Sequence, residues 1–311
     1  MNDPTSISII ITTCGKTRNI ADVLRSLKGQ RFQGAAQVIV VNNRPENDSR
    51  QEVEKFQLPI NWTLLYLEEP KAGKVFALNA ALQRVSNKLV CFLDDDVRFD
   101  PDLLQAYFNA AHTFPECDYF GGPVMSYKDG EPPHQEYLEG RHRLYLAWPV
   151  HELGSSSRAY RKGESPMGAN RMMRMDPKKP FQFPTYFAEK GLRLSADDMW
   201  IGEQWHEENK TMMYIPEAKV WHRIEADNFN LSNLSKRYFA FGKYQYWSLQ
   251  MKSEKKILAY KYLIRDLLSH LISCIVLLLK RQHTKSRYFY CEMIRECGQL
   301  VEVLKNRSSY V

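Results

Sequence analysis

Apolar residues in the first third of the chain fall into short runs separated by polar, helically spaced stretches. Ile7 to Thr12 is β-branched almost throughout and predicts a buried strand. From about Asn19 to Leu27 the apolar positions follow a helical period, and Val38 to Val41 is a second strand run, ended abruptly by Asn42-Asn43-Arg44-Pro45. Thr63 to Leu67 predicts a third strand. Between Phe76 and Val85, the spacing of Ala77, Ala80, Ala81 and Leu82 predicts a helix. Leu89 to Leu93 predicts a fourth strand, which runs straight into Asp94-Asp95-Asp96. Asp100-Pro101 then reads as an N-cap with proline at the first helical position. Gly121 to Pro184 is irregular and rich in Pro, Gly and aromatics, which predicts loops and short strands lining a site. Beyond it, Ser195 to Asn209 reads as a helix, and Met212–Ile215 and Lys219–Trp221 as strands.

Strands alternating with helices predict an α/β fold with a mostly parallel sheet covered on both faces. Ligands of such sheets bind at the carboxyl ends of the strands. Two polar clusters stand there, Asn42-Asn43 and Asp94-Asp95-Asp96. The C-terminal part has a different character. Lys236 to Gln250 interleaves aromatic and basic residues, and Leu267 to Leu279 is apolar apart from Ser269, His270 and Ser273. That apolar stretch is shorter than the ~20 residues of a spanning helix. It fits a buried core helix or an interfacial membrane helix, with a true membrane span as the remaining alternative.

Composition narrows the class. With 44% hydrophobic and 25% charged residues, the chain sits at the averages of globular proteins, which excludes a disordered tail, a collagen-like repeat and a multi-span membrane protein. The net charge of +7 belongs entirely to the end of the chain. From Lys252 onward there are 12 Lys and Arg against 5 Asp and Glu, while the remainder balances at 31 against 31. A basic end suggests a polyanion (an anionic membrane, a nucleic acid or a phosphorylated substrate) or simply a solvated helical face. The six cysteines show no C-x-x-C or metal-finger spacing and fit a reducing cytosol. Met1-Asn2-Asp3-Pro4 lacks the charged and apolar regions of a signal peptide.

Three adjacent carboxylates at a strand end repel one another, and a divalent cation bound through hard oxygen ligands relieves that repulsion. Asp94-Asp95-Asp96 is therefore a candidate metal site, with a helix-capping acidic turn as the alternative. Asp197-Asp198 opens the next predicted helix. Ser195 and Asp198 have capping-box spacing, and one carboxylate of the pair suits a general base equally well. His222, at the end of Val220-Trp221-His222, reads by itself as structural. Gly168-Ala169-Asn170 is a loop suited to close approach to a ligand. Lys71 and Lys74, just before the Phe76–Val85 helix, make an anion-friendly corner or are ordinary loop lysines.

Taken in order, these segments resemble family 2 glycosyltransferases of the GT-A type. The matching segments are Ile7–Thr13, Val38–Asn43, Gly73-Lys74 with Ala77-Leu-Asn79, Phe92–Asp96, Gly121-Gly122-Pro123, Gly168-Ala-Asn170, Ala196-Asp-Asp198, and Pro216-Glu-Ala with Val220-Trp-His222. They cover roughly residues 5–245. The resemblance implies a GT-A-like, Rossmann-like sheet over residues 1–235, with a donor half (1–125) and an acceptor half (126–235). A helical, basic region (236–311) follows. It further implies that Thr12, Thr13, Asn42 and Asn43 hold the nucleoside and that Lys74 and Asn79 serve the donor. Asp94, Asp96 and His222 would hold Mn²⁺ or Mg²⁺, with Asp95 in support, and Asp198 would be the catalytic base. Gly168, Ala169, Asn170, Asp197 and Trp200 would line the acceptor side.

The implied reaction is a metal-dependent inverting transfer of one sugar from a nucleoside-diphosphate donor (UDP first, GDP or TDP otherwise). The acceptor would be a glycan or lipid-linked glycan of polysaccharide biosynthesis, with no nucleic-acid partner. The setting would be the cytoplasm, at the inner membrane face through the basic tail. Removing residues after about 250 would then release the protein from membranes. Several positions depart from the family pattern. Asn42-Asn43 stands where relatives carry Asp-Asp, Cys14 where many carry an aromatic, and Asp197 where a Glu is usual. The Gln-x-x-Arg-Trp signature of processive synthases is missing around Glu203-Gln204-Trp205. The competing readings are a nucleotidyltransferase, for which Thr12-Thr-Cys-Gly-Lys16 is a poor phosphate loop, and a non-catalytic or degenerate sugar-nucleotide or nucleic-acid binding protein.

Overall fold

The computed structural model describes residues 6–306, apart from 15–16, 45, 47–48, 131–141, 190–196 and 252–255. The chain divides into two compact units. The first comprises Met1–Ser126, Val150–Thr185 and Asp197–Arg223; the second comprises Tyr127–Pro149, Tyr186–Ala196 and Ile224–Val311.

The first unit is built on β1 (Ser6–Thr13), β2 (Ala35–Asn42), β3 (Trp62–Glu68) and β4 (Leu89–Asp94), all parallel neighbours in the order β3-β2-β1-β4. Its helices α1 (Thr17–Lys28), α2 (Arg50–Glu54), α3 (Lys74–Leu82) and α4 (Leu103–Thr113) lie between strands in sequence. Both faces of β1 are buried, so its sequence is a continuous apolar run rather than an alternation. Ile7, Ile9 and Ile11 share a core with Ile20, Val23, Leu24 and Leu27 of α1 and Leu103, Leu104 and Tyr107 of α4. Each such fully buried aliphatic side chain contributes about 1.5–3 kcal/mol. Ser8, also buried on β1, is satisfied by donating to Gln37 at 2.8 Å.

The sheet continues through β9 (Asn170–Arg174), β6 (Tyr119–Gly121), β10 (Met212–Tyr214) and β8 (Arg158–Ala159), with β9 antiparallel to both β4 and β6. A three-stranded sheet orders β5 (Val97–Phe99), β11 (Val220–Arg223) and β7 (Val124–Tyr127). Helix α6 (Asp197–Glu207) belongs to this unit, and the four-residue α5 (Tyr186–Glu189) belongs to the second.

Two expectations are corrected, and a third is not tested. The segment read as loop at Asn170 is the first residue of β9, an almost wholly buried strand at the middle of the sheet. Helix α4 starts at Leu103 with Asp102 as its cap residue; Asp100 instead accepts from the Asp102 N–H at 3.0 Å, a turn that precedes the helix. Ser195, the expected cap of the α6 helix, lies outside the described residues.

The second unit is helical, with α7 (Leu231–Met251), α8 (Lys256–Leu279) and α9 (His283–Lys305). Helices α7 and α9 cross at two glycines. A Cβ on Gly242 would stand 1.8 Å from the Arg295 carbonyl oxygen, and one on Gly298 would stand 2.2 Å from that of Phe239. Leu234 and Tyr238 of α7 pack with Cys291 of α9, and Lys243 pairs with Glu302 at 3.0 Å. The apolar segment expected over Leu267–Leu279 is the end of a 24-residue helix. Its window Tyr262–Leu279 is long and apolar enough to cross a membrane, and only 11% of it is buried. The buried-core alternative for this segment is therefore overturned.

Candidate active site at the carboxyl ends of the strands

Register brings the polar strand ends together. Thr12 pairs with Asp94 across β1 and β4, and Thr13 pairs with Asn42 across β1 and β2. Thr13 donates its hydroxyl to Asp95 at 2.5 Å, so Asp95 is turned toward β1 and nearly buried. The antiparallel pairing of Leu93 with Asn170 sets Gly168-Ala169, just ahead of β9, beside the end of β4. In the smaller sheet His222 pairs with Val97, and the Arg223 N–H donates to the Asp96 carbonyl at 2.8 Å.

These alignments gather Asp94, Asp96 and His222, whose candidate ligand atoms lie within 4.8 Å of one another. His222 Nε2 approaches Asp96 Oδ1 at 3.4 Å, yet Asp96 Oδ1 and His222 Nδ1 are buried with no hydrogen-bond partner. Burial raises the Asp96 carboxyl above its ordinary range, His222 opposes the shift and Asp94 adds to it. Two carboxylate oxygens and an imidazole nitrogen, partly orphaned and mutually repelling, suit a divalent cation.

Lys74, the first residue of α3, forms an ion pair with Asp94. Burial by itself would lower its ammonium, but Asp94 and then Asp197 raise it well above the ordinary lysine value. Gly73 ahead of it has φ of 136°, a conformation that favours glycine, and Asn43 holds this loop. The Asn43 carboxamide donates to the carbonyls of Glu69 (2.9 Å) and Lys71 (2.8 Å) and accepts from the Gly73 N–H at 2.8 Å. Asn42 donates to the Tyr66 hydroxyl at 3.0 Å and accepts from the Arg44 N–H at 2.9 Å. The Asn42-Asn43 pair thus ties strand ends to the loop that presents Lys74. Asn79 is likewise engaged, exchanging two hydrogen bonds with the backbone of Phe183.

Asp198 Oδ2 accepts the Gly168 N–H at 2.7 Å. Its carboxyl is raised by burial first and by Asp197 second, against Arg171, that N–H and Lys74. Asp197 is buried and forms an ion pair with Arg171, a residue the sequence reading missed. Arg171 is fully buried on β9, with its guanidinium 5.2 Å from the Phe92 ring centre and 4.9 Å from that of Phe183. The signal was present as an arginine inside the apolar run Asn170-Arg-Met-Met. Asn170 is also fully buried. It accepts from Tyr107 at 2.7 Å and donates to the carbonyls of Ala218 (2.7 Å) and Pro123 (3.0 Å), so it braces the strand rather than facing solvent. Ala169 is buried, and Trp200 is half-buried on α6.

The profile of glycosyl transferase family 2 matches residues 8–177, more than half of the chain. The chain belongs to this family. Its activity class is therefore nucleotide-sugar glycosyl transfer, on a GT-A-type fold whose mainly parallel sheet is flanked by helices. No curated protein sequence matches it. Among solved structures, it is similar to residues 1–349 of S. aureus TarS, alone (15% identity) and in complex with UDP (16% identity). Each match covers 94% of this chain and 92% of that one, at a TM-score of 0.45. A longer TarS structure matches at 18% identity over 76% of this chain, with a TM-score of 0.43, and the chain spans 39% of its length.

Proposed function

We propose that this family member is a metal-dependent, inverting glycosyltransferase that moves one sugar from a nucleoside-diphosphate donor, UDP-linked in the first instance, to a glycan or lipid-linked glycan. The observation that carries the reading is the convergence of Asp94, Asp96 and His222 with Lys74 at the sheet's carboxyl edge. Residues 1–125 serve the donor, 126–235 the acceptor, and 236–311 the membrane surface.

Asp94, Asp96 and His222 would hold Mn²⁺ or Mg²⁺, which when bound supplies Lewis-acid charge against the donor diphosphate. The rest falls to the chain. Thr12 and Thr13 border the nucleoside, and Asn43 fixes the loop that aims Lys74 at the diphosphate. Asp198 accepts the proton of the acceptor hydroxyl as its oxygen bonds to the anomeric carbon. The bond from that carbon to the diphosphate breaks on the opposite face, and its electron pair leaves with the diphosphate beside Lys74. The raised carboxyl of Asp198 suits a base that must take a proton from a hydroxyl. Gly168, whose N–H binds Asp198, sets its orientation.

The test is a thermal-shift panel of UDP, GDP and TDP with and without Mn²⁺ or Mg²⁺, on the intact chain and on Asp96→Ala. Ligands that bind the native state raise the melting temperature by mass action. One diphosphate should stabilise only with metal, and Asp96→Ala should abolish the effect. The sugar released from that donor should appear first with inverted anomeric configuration by proton NMR. Absence of any diphosphate binding would favour a degenerate binding protein, and a retained configuration would overturn the inverting step.

A further inference from the structure

The exposed side of α8 carries a continuous apolar face. Leu268, Leu271, Ile272, Ile275, Val276 and Leu279 repeat at helical spacing and are 40–80% exposed, with Ile264 one turn earlier. The opposite side is held by α9. Leu263 and Cys274 are buried, Ser286 donates to the Cys274 carbonyl at 3.1 Å, and His270 pairs with Glu296 at 2.8 Å. An isolated monomer surface rarely presents so large a continuous apolar patch without a partner.

The charges around the face identify the partner. At one end stands Arg265, two-thirds exposed and paired with Asp266; at the other, Lys280 and Arg281 are exposed, with Lys285 and Arg287 half-buried beyond them. A second copy docked antiparallel would set Arg265 against Lys280 and Arg281, and one docked parallel would set each cation against itself. An anionic lipid surface meets both ends favourably. The window Tyr262–Leu279 measures about 27 Å at helical rise, close to a ~30 Å hydrocarbon core. However, Arg265 and Asp266 lie inside it, and the run beyond them, Leu267 to Leu279, covers only about 18 Å. The other side of α8 stays tied to a helix bearing buried Glu292, Glu296 and Glu302. The geometry suits a helix lying in the interface, its apolar side sunk among acyl chains and its ends beside phosphate headgroups.

We propose that α8 is the membrane-docking element of this protein, binding anionic bilayers in plane through Leu268, Leu271, Ile272, Ile275 and Leu279. The proposal deepens, and rests on, the membrane contact proposed above. It is tested by co-sedimentation of the full chain with phosphatidylcholine vesicles, with and without phosphatidylglycerol. The intact protein should bind the anionic vesicles and release at high salt, while Leu268→Asp/Ile272→Asp should lose about tenfold or more in partitioning. Both side chains are exposed, so circular dichroism and melting temperature should be unchanged. Lys280→Glu/Arg281→Glu should weaken binding to anionic vesicles alone. Unchanged binding of the Leu268→Asp/Ile272→Asp protein would overturn the role of α8 and leave the membrane reading standing. No vesicle binding by the intact chain would overturn both. A dimer that the double substitution splits, without vesicle binding, would assign the face to a second copy.

Discussion

At the residue scale the site depends on one buried arginine. Arg171 is the cation paired with Asp197, and it also opposes the rise of the neighbouring Asp198 carboxyl. Removing one partner of a buried ion pair leaves the other uncompensated, which costs about 3–5 kcal/mol. Arg171→Met should lose that much in urea denaturation. It should also move the acid limb of the pH–rate profile upward. The sign follows from the base being active when ionised: activity falls as pH drops through the Asp198 pKa. Burial and Asp197 have already raised that pKa, and loss of Arg171 raises it further. Asp198→Asn should abolish transfer and keep the fold, because its carbonyl can still accept the Gly168 N–H. A limb that stays put in Arg171→Met would show that Asp198 is not the titrating base. The strand-end residues Thr12, Asn42 and Asp94 were legible because their positions follow from local runs of sequence. The Arg171–Asp197 pair was not, since nothing local says which distant acid neutralises a cation inside an apolar strand.

At the element scale, the crossing of α7 and α9 sets a limit on what the sequence shows. Helical propensity alone would make Gly298→Ala stabilising by about 1 kcal/mol. Here the added Cβ meets the Phe239 carbonyl at 2.2 Å, so the helices must separate, and overpacking typically costs about 1–3 kcal/mol. Gly298→Ala should therefore lower stability in urea denaturation, and a gain would mean that the crossing yields freely. The same contact changes the truncation experiment that the sequence suggested. Ending the chain near residue 250 removes α8 and α9 together and uncovers Leu234 and Tyr238 of α7. Such a chain would be lost from solution for reasons unrelated to lipid, so point substitutions on α8 are the cleaner probe. Strands β1, β2 and β4 were legible as apolar runs because they are buried on both faces. Strand β9 was hidden because its middle is carried by Met172 and Met173 beside Arg171, a pattern with neither period nor β-branching. The length of α8 was hidden because Lys261, Arg265 and Asp266 interrupt its apolar first half.

At the scale of the whole molecule, the balance of titrating groups sets the response to acid. His151 stacks on Tyr160 with rings 5.6 Å apart, and its Nε2 lies 3.0 Å from the Tyr160 hydroxyl. Burial lowers its pKa from 6.5 to about 4, Glu164 opposing and Arg158 assisting. Its folded pKa is depressed, so the unfolded chain takes up the proton first as pH falls. Stability from this group is full above about pH 7 and is lost progressively between 6.5 and about 4. The complete loss amounts to about 3 kcal/mol, of which about 2 kcal/mol falls between pH 7 and pH 5. Raised carboxyls such as Asp198 and Glu292 act the other way, because protonation relieves their burial. A comparison of single variants removes their contribution, since it is common to both proteins. His151→Gln cannot titrate and retains a partner for the Tyr160 hydroxyl. Urea denaturation at the two pH values should therefore show the intact chain losing about 2 kcal/mol more than His151→Gln. Equal losses would mean that His151 gains its proton without unfolding, and that acid sensitivity resides in the carboxylate pairs held by Arg223 and Arg158 instead.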